Sequence, residues 1–247
     1  MSRYFLEVSY MGTSYSGFQA QKNANTIQSE VEKAFEILQK ERVAMVGSSR
    51  TDAGVHAIQN FFHFDFDENI DPHFVYKMNA LLPADIAVKN ILPVSDTAHA
   101  RFNAINREYK YYIYRFKNPF LDSRAYYYPY KLDVEKLSQL SELLINYSDF
   151  SSFSKRKTQV KTFNCDIMES EWYWQDEVLI YRVRANRFLR GMVRALVATM
   201  LWTSREEQEL QVFKSIIEMK DQSRAKFSVP AHGLYLEHIS FPKDIFK

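Results

Sequence analysis

Apolar and polar positions alternate with period two from Tyr4 to Tyr10, setting Leu6, Val8 and Tyr10 on one side, the pattern of a half-buried strand. A glycine-bearing loop follows, and then the period lengthens. After an N-cap at Asn25 or Thr26, the positions Ile27, Val31, Phe35 and Leu38 mark one face of a helix. Val43 to Val46 and Ala57 to Phe66 read as two strands, the second with Ile58, Asn60, Phe62, Phe64 and Phe66 on one side. Asp71-Pro72 opens a second helix through Leu82, with proline at an early helical position where its missing N–H costs nothing, and Asp85 to Leu92 closes as a strand. The order is β-α-β-β-α-β.

The rest of the chain repeats that order at greater length. A strand over Arg107 to Phe116 precedes a helix over Asp133 to Ile145, strands near Lys161 to Ile167 and Glu177 to Ala185, helices over Phe188 to Trp202 and Glu206 to Met219, and a strand over Leu234 to Phe241. The pattern predicts an α+β protein of two ferredoxin-like, RNA-recognition-like halves with antiparallel sheets covered by helices on one face, and a cleft between them. The boundary falls near residues 93–106, dividing the chain into 1–100 and 101–247. The segment "KNPFLDSRAYYYPYK" (117–131) reads as a long connection whose tyrosines require something to pack on.

Composition narrows the class. With 247 residues, 46% hydrophobic and 25% charged, the chain has material for a sizeable core. Neither a leader nor a stretch of the roughly 20 apolar residues a bilayer demands is visible, so a cytoplasmic protein is expected. Cys165 is the one cysteine, which excludes intramolecular disulfides and any cysteine-based zinc site and reads as a buried thiol. A formal charge of +2 says little; its distribution says more. Between Val178 and Arg205 stand six arginines (182, 184, 187, 190, 194, 205) and no acid, and Lys155, Arg156, Lys157 and Lys161 cluster just before. This is the one-dimensional form of a phosphate-binding face, or of a set of solvated surface charges.

The chemistry concentrates in "GSSRTDAGVHA" (47–57), which joins two strands of the first half and mounts Asp52 on a sheet edge. Gly54 supplies a positive φ or a close backbone approach, and Thr51 and Arg50 flank the acid with a donor and a permanent cation that would keep it ionised. A turn aspartate bonded to its own backbone is the plain alternative. An aspartic-protease turn would want a hydroxyl where Ala53 stands, and Gly12 to Gly17 is not followed by the Lys-Ser/Thr of a phosphate-cradling loop. His56 and His63 read as structural histidines.

The eight residues Arg50 to Ala57 resemble the signature of the TruA family of tRNA pseudouridine synthases, whose aspartate falls where Asp52 stands. "YMGTSYSGFQAQ" (10–21), "LLPADIAV" (81–88), "ARFNAINREYKYYIY" (100–114), "SDFSSF" (148–153), "NRFLRGMVRALV" (186–197) and "HGLYLEHISF" (232–241) are similar to its other blocks in order. The chain departs from the family pattern at Ser48-Ser49, Gly191 and Ala198, and lacks the histidine often found before Asp149. None of these touches the acid.

The resemblance implies isomerisation of uridine to pseudouridine at positions 38–40 of the tRNA anticodon stem-loop by a homodimer. The bond from ribose C1′ to uracil N1 breaks, the base turns, and C1′ bonds to C5, with no atom gained or lost. Neither metal nor cofactor is called for. Asp52 is implied as nucleophile, by addition to C6, attack on C1′ or a glycal route. Arg194 is implied as the cation that offsets desolvation of Asp52, and Tyr109 as the ring that receives the flipped base. On a helix, Arg187, Arg190 and Arg194 form one stripe opposite Leu189, Val193, Leu196, Val197 and Met200. Arg50, Arg101, Arg107, Lys155, Arg156, Lys157, Arg187 and Arg190 are the candidate RNA contacts. A non-catalytic RNA-binding or tRNA-folding protein is the rival reading, and it has no use for Asp52.

Overall fold

The computed structural model describes residues 2–67, 70–155 and 160–247. Its strands are β1 (Ser2–Tyr10), β2 (Val46–Gly47), β3 (His56–Phe66), β4 (Ile86–Val94), β5 (Asn106–Tyr114), β6 (Tyr126–Tyr127), β7 (Ile167–Gln175), β8 (Val178–Ala185) and β9 (Leu234–Ser240). The helices are α1 (Ile27–Gln39), α2 (Phe74–Leu81), α3 (Val134–Leu143), α4 (Met192–Arg205) and α5 (Leu210–Glu218). The chain divides into two units, residues 1–105 with 235–247, and residues 106–234. The C-terminal segment therefore belongs to the first unit, which corrects the division at residue 100.

In the first unit the strands run β4–β1–β3–β2, each pair antiparallel, and β9 adds to β3 in parallel at His56–Tyr235 and Ala57–Leu236. Thr26 caps α1 with a reciprocal capping box to Ser29, satisfying two donors at the helix start. The buried face of α1 is Ile27, Val31, Ala34 and Phe35, and the Phe35 ring meets Phe64, Phe66 and Phe74 edge-on. The half-buried β1 of the sequence reading is buried on both faces. Leu6 and Val8 point one way, while Phe5 on the other is covered by Phe61, Phe241 and Phe246. β2 is shorter than expected because the backbone of Met45 bonds to α1 instead of a strand: its N–H donates to Glu32 and its carbonyl accepts from Gln28.

In the second unit β5 pairs antiparallel with β8, β8 with β7, and β6 lies parallel on β5. The strand expected at 161–167 lies at Ile167–Gln175. Residues 163–165 instead make a short antiparallel bridge to 148–150, with Phe150 N–H donating to the Phe163 carbonyl at 3.1 Å and Cys165 N–H to the Ser148 carbonyl at 2.8 Å, and the tight turn at Asp176 folds β7 straight back onto β8. Leu137, Leu140, Leu196, Val197, Phe213, Ile216 and Ile217 make the helical side of this core. Among the described residues no helix is long and apolar enough to cross a membrane, and no group of three His, Cys, Asp or Glu is placed to hold a metal ion. Cys165 is buried and reduced, and burial pushes its thiol up to about 12.

Candidate active site

The loop that carries Asp52 is fastened from beneath by buried polar groups of β1 and β3. The Tyr10 hydroxyl and Thr51 Oγ1 lie 2.9 Å apart, and Asn60 Nδ2 donates to the Tyr10 hydroxyl at 3.2 Å and to the Ser49 carbonyl at 2.9 Å. Tyr10, Ser49, Thr51 and Asn60 are all buried, so releasing the loop would leave several of these groups unpaired at about 1–3 kcal/mol each.

The segment after β1 closes on the loop from a second side. Phe18 N–H donates to the Thr51 carbonyl at 3.1 Å, and Gly12 N–H donates to His56 Nδ1 at 2.9 Å. A Cβ on Gly12 would stand 2.1 Å from the Val55 carbonyl oxygen, so only glycine permits this approach. Asp85 ties that segment down in turn, accepting from the Met11 N–H on its backbone carbonyl at 2.9 Å and from the Tyr15 hydroxyl on its carboxylate at 2.5 Å. Burial and this carboxylate push the Tyr15 phenol well above its ordinary pKa, so it stays a donor.

Within the loop, Val55 N–H returns to the Asp52 carbonyl at 3.1 Å and Gly54 has φ of 79°, as the third residue of a type II turn requires. Val55 and His56 are buried, Asp52 is partly exposed and Arg50 is exposed. A carboxylate half open to solvent on a backbone held from two sides is pre-positioned for chemistry on a bound molecule. Sequence reasoning named Asp52, Thr51 and Gly54 but missed Tyr10, Gly12, Tyr15, Asn60 and Asp85. The family-like strings 10–21 and 81–88 carried the only signal, for Tyr10, Gly12, Tyr15 and Asp85, and it did not show what they touch.

In the second unit Tyr109 is buried on β5, its ring edge-on to Phe188 at 5.0 Å. Arg107, also buried, donates from Nη1 to the Asn186 carbonyl at 3.1 Å. Arg194, in the first turn of α4, is half-buried and donates from Nε at 3.1 Å and Nη2 at 2.7 Å to a single acceptor, the Val229 carbonyl. Lys155 and Arg190 are brought together: Lys155 N–H donates to the Arg190 carbonyl at 2.9 Å, and the Lys155 stem packs beside Gly191. Arg190 is exposed, and the positive charge of Arg187 acts on the Cys165 thiol. Arg101 belongs to the first unit, exposed, with its guanidinium 5.6 Å from the Phe102 ring centre. Arg156 and Lys157 lie outside the described residues.

Two expectations change. Arg187, Arg190 and Arg194 are not one helical stripe, because α4 starts at Met192 behind Gly191 and the first two arginines sit in the preceding loop. Nor is the arginine run one basic face. Arg182 is paired with Glu108 at 2.8 Å, Glu169 at 2.8 Å and Glu171 at 3.1 Å, and Arg184 with Glu169. Acids from adjacent strands neutralise these two side chains, an arrangement that linear charge counting does not see. Arg205 is likewise engaged, 3.8 Å above the Tyr130 ring.

The family model described as tRNA pseudouridine synthase matches residues 7–103 and 142–242. Asp52 and Arg194 fall inside those spans and Tyr109 between them. The chain is 43% identical over 248 residues to a protein of Parabacteroides distasonis, covering all of this chain and 98% of that one. It is 42% identical over 251 residues to one of Porphyromonas gingivalis, covering both completely, and 36% identical over 240 residues to one of Staphylococcus aureus, covering 96% and 91%. Each of the three is named tRNA pseudouridine synthase A.

Proposed function

The chain belongs to the tRNA pseudouridine synthase family, and from that membership we propose that it isomerises uridine to pseudouridine at positions 38–40 of the tRNA anticodon stem-loop. The observation that carries the assignment to a site is the bracing of Asp52: three of the family-like segments, 10–21, 50–57 and 81–88, hold one half-exposed carboxylate in place. Asp52 is the nucleophile. Arg194 keeps it ionised when a base displaces water around it, and the Tyr109 ring supports the flipped uracil.

Arg50, Arg101, Arg107, Lys155, Arg156, Lys157, Arg187 and Arg190 hold RNA phosphates. Two ferredoxin-like halves, a central RNA-binding cleft and a homodimer in the cytoplasm belong to the same reading. The β4–β1–β3–β2 order of the first unit supports it for that half.

The test compares tRNA treated with the natural protein and with Asp52→Asn and Asp52→Ala, mapped by a pseudouridine-specific chemical stop assay, because mass alone does not register an isomer. Both variants should lose turnover and keep tRNA binding. Turnover retained in Asp52→Asn would remove the nucleophile assignment, and a natural protein that binds tRNA without modifying it would favour a binding module.

A further inference from the structure

Arg194 is held by a strap that a second side chain holds in turn. The segment entering β9 passes Val229 and Pro230 in sequence, and each offers its carbonyl to a different element. The Val229 carbonyl takes both Nε–H and Nη2–H of Arg194 from α4, and the Pro230 carbonyl takes the Tyr111 hydroxyl from β5 at 2.8 Å. Two adjacent peptide groups thus connect the helix to the strand. Pro230 has φ of −65° and ψ of 155° and caps the one-turn 3₁₀ helix Ala231–Gly233.

That turn rests on Tyr111 as well, since a Cβ on Gly233 would stand 2.6 Å from Tyr111 Cζ and 2.9 Å from its hydroxyl oxygen. Tyr111 is fully buried, and burial raises its pKa well above the ordinary phenol value, so the hydroxyl remains a donor. It sits two residues from Tyr109 on β5 and therefore on the same face of that strand.

An arginine side chain carries about 2 kcal/mol of rotamer entropy and presents five N–H donors in a rigid fork. Engaging two of them on one fixed carbonyl sets the plane of the guanidinium and leaves three for other partners. We propose that Tyr111 is a positioning residue for the isomerisation: through the Pro230 and Val229 carbonyls it fixes the strap, and the strap fixes the guanidinium of Arg194. The proposal rests on the catalytic role assigned above to Arg194. Packing alone would be served equally by phenylalanine; the hydroxyl is what the strap uses.

The experiment measures single-turnover rate against pH at saturating tRNA, with tRNA affinity and melting temperature alongside, for the natural protein, Tyr111→Phe, Arg194→Met and the double variant. Tyr111→Phe keeps the ring against Gly233. It should lower the rate about five- to tenfold, the scale of one buried hydrogen bond, with tRNA affinity unchanged. Its pH profile should move in the same direction as that of Arg194→Met, towards higher pH, because a displaced cation compensates Asp52 less well. In the Arg194→Met background the further loss from Tyr111→Phe should vanish.

Independent losses that multiply in the double variant would overturn the proposal, as would a natural rate and profile in Tyr111→Phe, or a lowered melting temperature with an unmoved profile. Arg194→Met behaving like the natural protein overturns the role assigned to Arg194 and this inference with it. A defective Arg194→Met beside an unaffected Tyr111→Phe overturns the inference alone.

Discussion

At the scale of single residues, the Asp52 loop depends on what is absent as much as on what is present. Gly12 lies where a methyl group would meet the Val55 carbonyl at 2.1 Å, and that carbonyl belongs to the turn holding Asp52. Gly12→Ala should cost about 1–3 kcal/mol of stability by overpacking, and should lower the single-turnover rate while tRNA affinity, measured by filter binding, holds. His63 gives a second expectation. Burial, with His99 and Arg3 beside it, pushes its pKa down to about 4. Folded His63 is neutral where an unfolded histidine, near 6.5, would take a proton. Its contribution is complete above about pH 6.5 and is lost as pH falls from there towards 4, about 1–3 kcal/mol in all. Urea midpoints at pH 7, 5.5 and 4.5 should fall less steeply for His63→Gln than for the natural chain; parallel slopes would count against it.

At the scale of elements, β5, β8 and β7 carry a ladder of alternating charge in which Glu108, Glu169 and Glu171 surround Arg182 and Arg184. The hydrogen bond to Glu108, ahead of its other acids, holds the Arg182 guanidinium protonated beyond its ordinary range. These arginines are committed to the sheet. The turn before α4 differs, with Arg190 exposed and Lys155 bonded to it through the backbone. Arg190→Gln and Lys155→Gln should each reduce the slope of log affinity for tRNA against log salt by about one unit or less, whereas Arg182→Gln should leave it unchanged. Equal slopes for all three would mean that the turn is ordinary surface. The period-3.6 pattern did predict an arginine-bearing helix here, but it ran the helix back to Phe188, since periodicity has no sight of the cap at Gly191.

At the scale of the molecule, the C-terminus completes the first unit. Phe241 and Phe246 lie edge-on to Phe5, Ser95 N–H donates to the Ile245 carbonyl, and Lys247 N–H donates to the Pro93 carbonyl. Removing residues 241–247 strips this cover from β1, so the loss should be at least about 3 kcal/mol by urea denaturation, the scale of one phenylalanine removed from a core. A truncated chain of unchanged stability would show the segment to be decoration.

Local pattern by itself determined the elements with strong period and clear ends: β1, α1 behind Thr26, β3, β4 and β8 all follow from alternation, helical spacing and capping chemistry, which act within a few residues. The string around Asp52 likewise marked the loop, because a carboxylate, an arginine and a turn glycine are legible in one dimension. Tertiary structure decided the rest. It decided which arginines were neutralised, since their acids come from neighbouring strands and not from neighbouring positions. It assigned Tyr235–Lys247 to the first unit, since a strand joins the edge that its hydrogen bonds find, whatever its place in the chain. And it set Tyr10 and Asn60 under the Asp52 loop, Asp85 against the segment that closes on it, and Tyr111 under the strap that Arg194 grips, because a buried polar group must find its partner in space, and sequence distance places no limit on where that partner lies.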